Sequence, residues 1–407
     1  MSARKPNVVS LFSGAGGLDA GLERAGWHVS VATDFAAPAM ATLRATQAVG
    51  VPVRGRAATH LDGTRLIEAD VQDLTARDLR PKGSNSVWRP DLVVGGPPCQ
   101  PWSSAGLQRG LGDPRGQLIA HYLRLIGELR PKFVIFENVR GLATARGATG
   151  TPGEVLRSIQ DDLYDLGYSS RVATLNAADY GAAQRRVRVI LIASAEHVLP
   201  LFPAPTHSRH PEHGLAPWVT LRALLESLPE PDLDDVVRPT GKRADALRKL
   251  EPGTGIKTNG RVMANRPSGQ WGYRQDAFRA DLDLPSRTVR AASTPDWIRM
   301  EGDSDIRRLT WRECAALQGF PAQWQFAGTA SQRFVQIGNA VQVDVAEAVG
   351  RGLLGALRKG EVSEGTLAPV LPADLEERIR YTIAEHKTNG HLRRRTTASD
   401  QSKAVAS

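Results

Sequence analysis

Cys99 closes the stretch Asp91-Leu92-Val93-Val94-Gly95-Gly96-Pro97-Pro98 and precedes Gln100-Pro101-Trp102-Ser103. A thiolate is the best soft nucleophile among side chains, but a free cysteine is only slightly ionised at neutral pH. Such a residue needs positive charge or backbone donors beside it before it can attack anything. The blander alternative is a small buried side chain, the usual fate of a free cysteine. Core positions rarely follow Gly-Gly-Pro-Pro, so the loop context favours chemistry. Two further groups fit a covalent step. Glu137 ends the apolar run Lys132-Phe133-Val134-Ile135-Phe136, where partial desolvation would favour the protonated acid and suit a proton donor. Gln184, Arg186 and Arg188 fall at i, i+2 and i+4. If their strand begins early, all three share one face, either as a solvated face or as cationic support for the cysteine.

The elements that must carry these groups read as an α/β chain. Leu92 to Val94 form a buried strand, and the cysteine lies just past its carboxyl end, the edge where open α/β sheets bind ligands. Val8 to Phe12 form a second strand. The turn Ser13-Gly14-Ala15-Gly16-Gly17 follows, then a helix carrying Leu18, Leu22 and Ala25 and closed by Gly26. The turn is not a full Gly-x-Gly-x-x-Gly, because Asp19 takes the third place. Strands near Val29–Thr33 and Leu66–Ala69 end in Asp34 and in Asp70-Val71. Asp34 suits a ribose diol, and Asp70 an adenine amino group; a solvated loop acid is the plainer alternative for each. Further helices are expected over 119–129 and 156–166, with strands over 171–176 and 187–193. Residues 143–153 read as a mobile surface loop. Between 200 and 285, prolines, scattered Arg and Lys, and isolated Trp218, Trp271 and Tyr273 mark a second, smaller, irregular domain. Thr310 and Glu313 form a capping box, and Cys314 within that helix is expected to be buried.

The whole chain has 407 residues, enough for two domains and a tail, and a net charge of +9 that points to a polyanionic partner. Two distant cysteines, Cys99 and Cys314, argue against a disulfide framework or a metal site and for a reducing compartment. No apolar run is long enough to span a bilayer, so a soluble, cytoplasmic protein with no membrane partner is expected.

Taken in order, Phe12-Ser13-Gly14-x-Gly16-Gly17, Pro97-Pro98-Cys99-Gln100, Glu137-Asn138-Val139, Gln184-x-Arg186-x-Arg188, Arg308-Leu309-Thr310-x-Arg312-Glu313 and Gln336-Ile337-Gly338-Asn339 resemble the DNA cytosine-5 methyltransferases. The resemblance runs from about residue 8 to 350 and omits the variable region near 200–285. It implies a Rossmann-like, S-adenosyl-L-methionine-dependent methyltransferase domain over 1–196 and 332–358 and a target-recognition domain over 197–331, while the polar composition of 359–407 reads as a disordered tail. Cys99, Glu137, Arg186 and Arg188 would be catalytic. Phe12, Ser13, Gly14, Gly16, Gly17, Asp34, Asp70, Val71, Pro98 and Asn339 would bind the cofactor, and Gln100, Ser103, Arg115 and Gln184 would meet DNA. The implied partners are double-stranded DNA and a cognate restriction endonuclease, for a nucleoid-associated monomer. Small departures stand beside the match: Trp102 where phenylalanine is frequent, Asp34 where glutamate is usual, and Gln342 where proline is common.

Three rivals differ in what they leave unexplained. The tRNA-methylating relatives carry a Cys-Phe-Thr triplet in the second domain, and no cysteine lies here between Cys99 and Cys314. A catalytically silent DNA-binding regulator would not need the full set of reacting groups. A nicotinamide oxidoreductase would leave Cys99, Glu137 and the arginine pair without a role.

Overall fold

The computed structural model describes residues 5–85, 87–98, 117–195, 198–211, 214–241, 244–256, 262–264, 277–292, 294–359, 363–364, 372–377 and 379. Cys99, Gln100, Ser103 and Arg115 lie outside the described residues. In chain order the first elements are β1 (Asn7–Leu11), α1 (Gly17–Ala25), β2 (His28–Asp34), α2 (Ala37–Val49), β3 (Arg65–Glu68) and β4 (Leu92–Gly95). Then come α3 (Gln117–Leu129), β5 (Phe133–Val139), α4 (Glu154–Asp165), β6 (Ser169–Asn176), β7 (Val187–Ser194) and β8 (Val198–Leu199). The remaining helices are α5 (Leu221–Glu226), α6 (Ala244–Arg248), α7 (Trp311–Leu317), α8 (Ala330–Asn339) and α9 (Val343–Lys359).

These residues fall into two compact units. The first comprises Met1–Gly96, Leu175–Val187 and Pro200–Glu361. Its sheet has the order β3-β2-β1-β4, all parallel, with Val8 aligned to Val29 on one side and to Leu92 on the other. Val8, Val9, Val29, Val31, Leu92, Val93 and Val94 are all fully enclosed. Strands covered on both faces read as unbroken aliphatic runs, which is why no polar alternation appears in the sequence. Gly26 at φ 112 ends α1 in the left-handed conformation, and its N–H bonds back to Glu23 and Leu22.

Val345, Val349 and Leu353 form a buried stripe on α9, which packs against α1. A Cβ on Gly21 would lie 2.4 Å from Ala346 Cβ, and one on Gly350 would lie 2.9 Å from Leu22 Cδ2. The two backbones therefore approach over small residues. Trp27 Nε1–H donates to the Gly350 carbonyl at 2.8 Å, and Arg24 donates to Asp344 and to the Gly319 carbonyl. In the same unit Leu247, Leu250, Ile256, Trp297 and Ile306 form a separate small core. The capping box at α7 is present, and Arg307 also pairs with Glu313 at 2.8 Å. Cys314 is fully buried, and burial pushes its thiol well above the ordinary range.

The second unit comprises Pro97–Thr174, Arg188–Leu199 and Val362–Ser407. Here β7 runs antiparallel to β5, with Glu137 opposite Ile190 and Val139 opposite Arg188, and β6 borders β7. Helix α3 is tied to β5 by the Tyr122 hydroxyl, which donates to the Ile135 carbonyl at 2.8 Å.

Two stretches hold contacts that their composition does not reveal. Residues 143–153 are a bonded knot: the Glu154 carboxylate accepts from the backbone of Gly147, Thr149 and Thr151 and from the Thr149 hydroxyl. The glycine and threonine content that reads as mobility in sequence supplies the donors. The stretch after 359 contains paired and buried residues as well as polar ones. Ser363–Glu364 pairs antiparallel with β8, and Leu375 and Ile379 are 1% and 3% exposed.

Candidate active site

In the first unit the strand β1 ends in a tight reversal. Phe12 has φ 56, Gly14 φ 55 and Gly16 φ 86, so three residues of the turn lie in the left-handed region. For a phenylalanine that conformation costs on the order of 1–3 kcal/mol and persists only where the surroundings hold it. Ser13 N–H donates to the Thr33 carbonyl at 2.9 Å, and its hydroxyl bonds Ser10 Oγ at 2.9 Å. Among the described residues, a side chain at Gly14 would meet no atom within 4 Å, whereas one at Gly17 would lie 2.3 Å from the Val341 carbonyl oxygen. Gly14 thus leaves its backbone open to a ligand, and Gly17 is required by packing.

Asp34 fixes this turn from the end of β2. One carboxylate oxygen accepts from Gly14 N–H and the other from Ala36 N–H, each at 2.8 Å. Burial pushes its pKa up, against the pull of those backbone donors. Asp70 closes the turn after β3 by accepting from Gln72 N–H at 3.0 Å, with Val71 buried behind it. Asn339 is exposed at the last position of α8.

A side chain that the sequence reading passed over sits next to Asp34: Phe35 is 66% exposed. An aromatic directly after an acid at a strand end was the available signal. Behind the turn, Asp19 is wholly enclosed. Desolvation pushes it up to about 7, with the Ser10 hydroxyl acting in the opposite direction.

In the second unit Glu137 sits near the end of β5 with only 8% of its surface exposed. Arg188 on the paired strand β7 brings Nε to 3.1 Å from Glu137 Oε1. Its neighbour Asn138 is buried and donates to the Pro97 carbonyl at 3.1 Å. The strand that carries the acid is therefore bonded to the backbone two residues before Cys99. Pro98 is half-buried at the edge of the described loop.

Gln184, Arg186 and Arg188 do not share a strand face. Strand β7 starts at Val187, and Gln184 and Arg186 precede it within the first unit. Gln184 is fully buried: its amide donates to the Leu317 carbonyl and to Gln318 Oε1, and accepts from Val289 N–H. A side chain so enclosed ties the segments around 289 and 317 together. Arg186, 2% exposed, donates to the carbonyls of Val289, Gly338 and Ala340. Its guanidinium holds the turn that presents Asn339.

Among the described residues no cluster of His, Cys, Asp or Glu could hold a metal ion, and no helix is long and apolar enough to cross a membrane.

The model of the C-5 cytosine-specific DNA methylase family matches residues 6–354. The chain is 30% identical over 396 residues to the Type II methyltransferase M.SacI of Streptomyces achromogenes, covering 89% of this chain and 96% of that protein. It is also 30% identical to M.FnuDI of Fusobacterium nucleatum, over 88% of this chain and 99% of the relative. Among solved structures, a variant of Spodoptera frugiperda DNMT2 superposes with a TM-score of 0.59 at 16% identity, over 86% of this chain and 100% of the other, a likeness of fold. With the Rossmann-like α/β architecture and the ordered motifs, this match establishes the chain as a DNA cytosine-5-methyltransferase of the C-5 cytosine-specific DNA methylase family.

Proposed function

We propose that the protein methylates carbon 5 of a cytosine within a specific sequence of double-stranded DNA, using S-adenosyl-L-methionine, as the modification partner of a restriction endonuclease acting on the same site. The observation that carries the reading is the pairing of Glu137 with Arg188 on a strand that Asn138 bonds to the Pro97 carbonyl, beside Cys99 in sequence. The Type II methyltransferase relatives supply the restriction-modification context.

Cytosine carbon 5 is a poor nucleophile until something adds at carbon 6. Cys99 adds its thiolate there while Glu137 protonates or holds ring nitrogen 3, which makes carbon 5 electron-rich. S-adenosyl-L-methionine, when bound, supplies the electrophilic methyl group that carbon 5 takes up. Loss of the carbon 5 proton then expels the thiolate and restores the ring. Neither Cys99 nor Glu137 can reach a stacked base, so the cytosine flips out at a few kcal/mol. Arg188 orients the Glu137 carboxylate, and Arg186 acts through the Asn339 turn.

The residues present fit the cofactor. The open backbone at Gly14, the acids Asp34 and Asp70, the exposed Phe35 ring and the exposed Asn339 side chain supply the donors, acceptors and ring face that an adenosyl group and an amino acid require. The functional division is a catalytic domain over 1–196 and 332–358 and a target-recognition domain over 197–331, in a cytoplasmic, nucleoid-associated monomer. The test is transfer of labelled methyl from S-adenosyl-L-methionine to duplex DNA and to tRNA, followed by bisulfite sequencing of the DNA product. Methylated cytosine at one recurring duplex sequence is expected; methylation of tRNA alone would overturn the reading.

A further inference from the structure

Both turns assigned to the cofactor are held by one short segment, 317–324, that belongs to neither. The first turn has left-handed residues at 12, 14 and 16 and carries the Ala15 carbonyl. Trp324 meets that carbonyl: its Nε1–H donates to it at 2.9 Å, and the indole is 3% exposed. The same ring takes the space a side chain at Gly16 would need, with Cζ2 2.9 Å from the Cβ position. Phe320 packs on this indole with ring centroids 5.3 Å apart, and the His60 ring meets its edge at 5.3 Å.

The second turn ends α8. A helix C-terminus leaves its last carbonyls without intrahelical donors. Here the Gln318 amide donates to Ile337 and Ala340 carbonyls at 2.6 and 3.2 Å, while Arg186 takes Gly338 and Ala340. Gln318 is fully buried, and its own oxygen accepts from Gln184. Gly338 is needed because a Cβ there would lie 2.2 Å from the Ala291 nitrogen. No other segment contributes side-chain donors to both turns among the bonds described.

We infer that Trp324 and Gln318 are positioning residues for the cofactor: the end of α7 and the loop after it set the shape of the Gly14 turn and the Asn339 turn together. The inference rests on the cofactor reading above.

The experiment measures the dissociation constant of S-adenosyl-L-methionine by calorimetry for the full chain, Asp34→Ala and Trp324→Phe, with thermal midpoint and DNA affinity recorded for each. Phenylalanine keeps a ring against Gly16 and removes only the N–H. Trp324→Phe is expected to weaken cofactor binding about 3- to 10-fold, the scale of one net hydrogen bond. DNA affinity and kcat at saturating cofactor should stay at the wild-type values. Trp324→Leu, which also removes the ring, should weaken binding further; if it does not fold, the phenylalanine variant alone decides. Unchanged cofactor affinity in Trp324→Phe, with Asp34→Ala weakened, would overturn the inference and leave the cofactor site standing. Wild-type protein that binds no S-adenosyl-L-methionine would overturn both.

Discussion

At the scale of single residues, the second unit's site depends on ties rather than on reacting groups alone. Asn138 donates to the Pro97 carbonyl from a buried position, and truncating it leaves that carbonyl unpaired, at about 1–3 kcal/mol. Asn138→Ala is therefore expected to slow methyl transfer by about tenfold or more with cofactor affinity unchanged, a split that steady-state kinetics and calorimetry together resolve. Asp19 gives a prediction in pH. Its folded pKa, raised to about 7 by burial, lies above the roughly 3.9 of an unfolded aspartate. The folded state thus holds the extra proton between those values. Stability from this group is greatest below about pH 4 and falls by up to roughly 1.4 kcal/mol per unit as pH rises towards 7. Asp19→Asn should remove that slope, so its thermal midpoint relative to wild type should rise from pH 5 to pH 8. A constant difference across that range would place the carboxyl's titration elsewhere.

At the scale of elements, the contact between α1 and α9 is set by small residues. A methyl on Gly21 would fall 2.4 Å from Ala346 Cβ and 2.5 Å from the Val343 carbonyl oxygen. Gly21→Ala should therefore lower the thermal midpoint, because overpacking of about 1–3 kcal/mol exceeds the gain of about 1 kcal/mol in helix propensity. Periodicity made most such elements legible. Leu18, Leu22 and Ala25 marked α1, and Ile119, Leu123, Ile126 and Leu129 marked α3. The capping box at Thr310 and Glu313 needed only local spacing. What periodicity could not supply was the partner of each group. Gln184 and Arg186 look like strand-face residues at two-residue spacing, yet β7 starts after them and their donors are taken by carbonyls 103 to 154 positions away. Trp324 was invisible for the same reason, since its role depends on a carbonyl 309 positions earlier. In 143–153, glycine and threonine signal a loop without revealing that Glu154 gathers its backbone.

At the scale of the whole chain, the C-terminal part closes both units. Ending the chain at 330 removes α8 and α9, uncovers α1 and discards the Asn339 turn; loss of cofactor binding and of solubility is expected. Ending it at 371 removes Leu375 and Ile379 from the second unit, where Ile379 Cδ1 lies 2.6 Å from the Cβ position of Gly153 and Asp374 accepts from the Thr174 hydroxyl at 3.1 Å. The burial of those two side chains predicts a destabilisation of about 2–5 kcal/mol for each large apolar residue lost, read as a lowered thermal midpoint. The central claim is covalent capture of a flipped cytosine by Cys99. DNA carrying 5-fluorocytosine at the methylated site, incubated with S-adenosyl-L-methionine, tests it most directly, because fluorine cannot leave as the proton does. The predicted result is a protein–DNA complex that survives denaturation with wild type and is absent with Cys99→Ser, while the serine variant still binds S-adenosyl-L-methionine; undiminished trapping by Cys99→Ser would contradict the account.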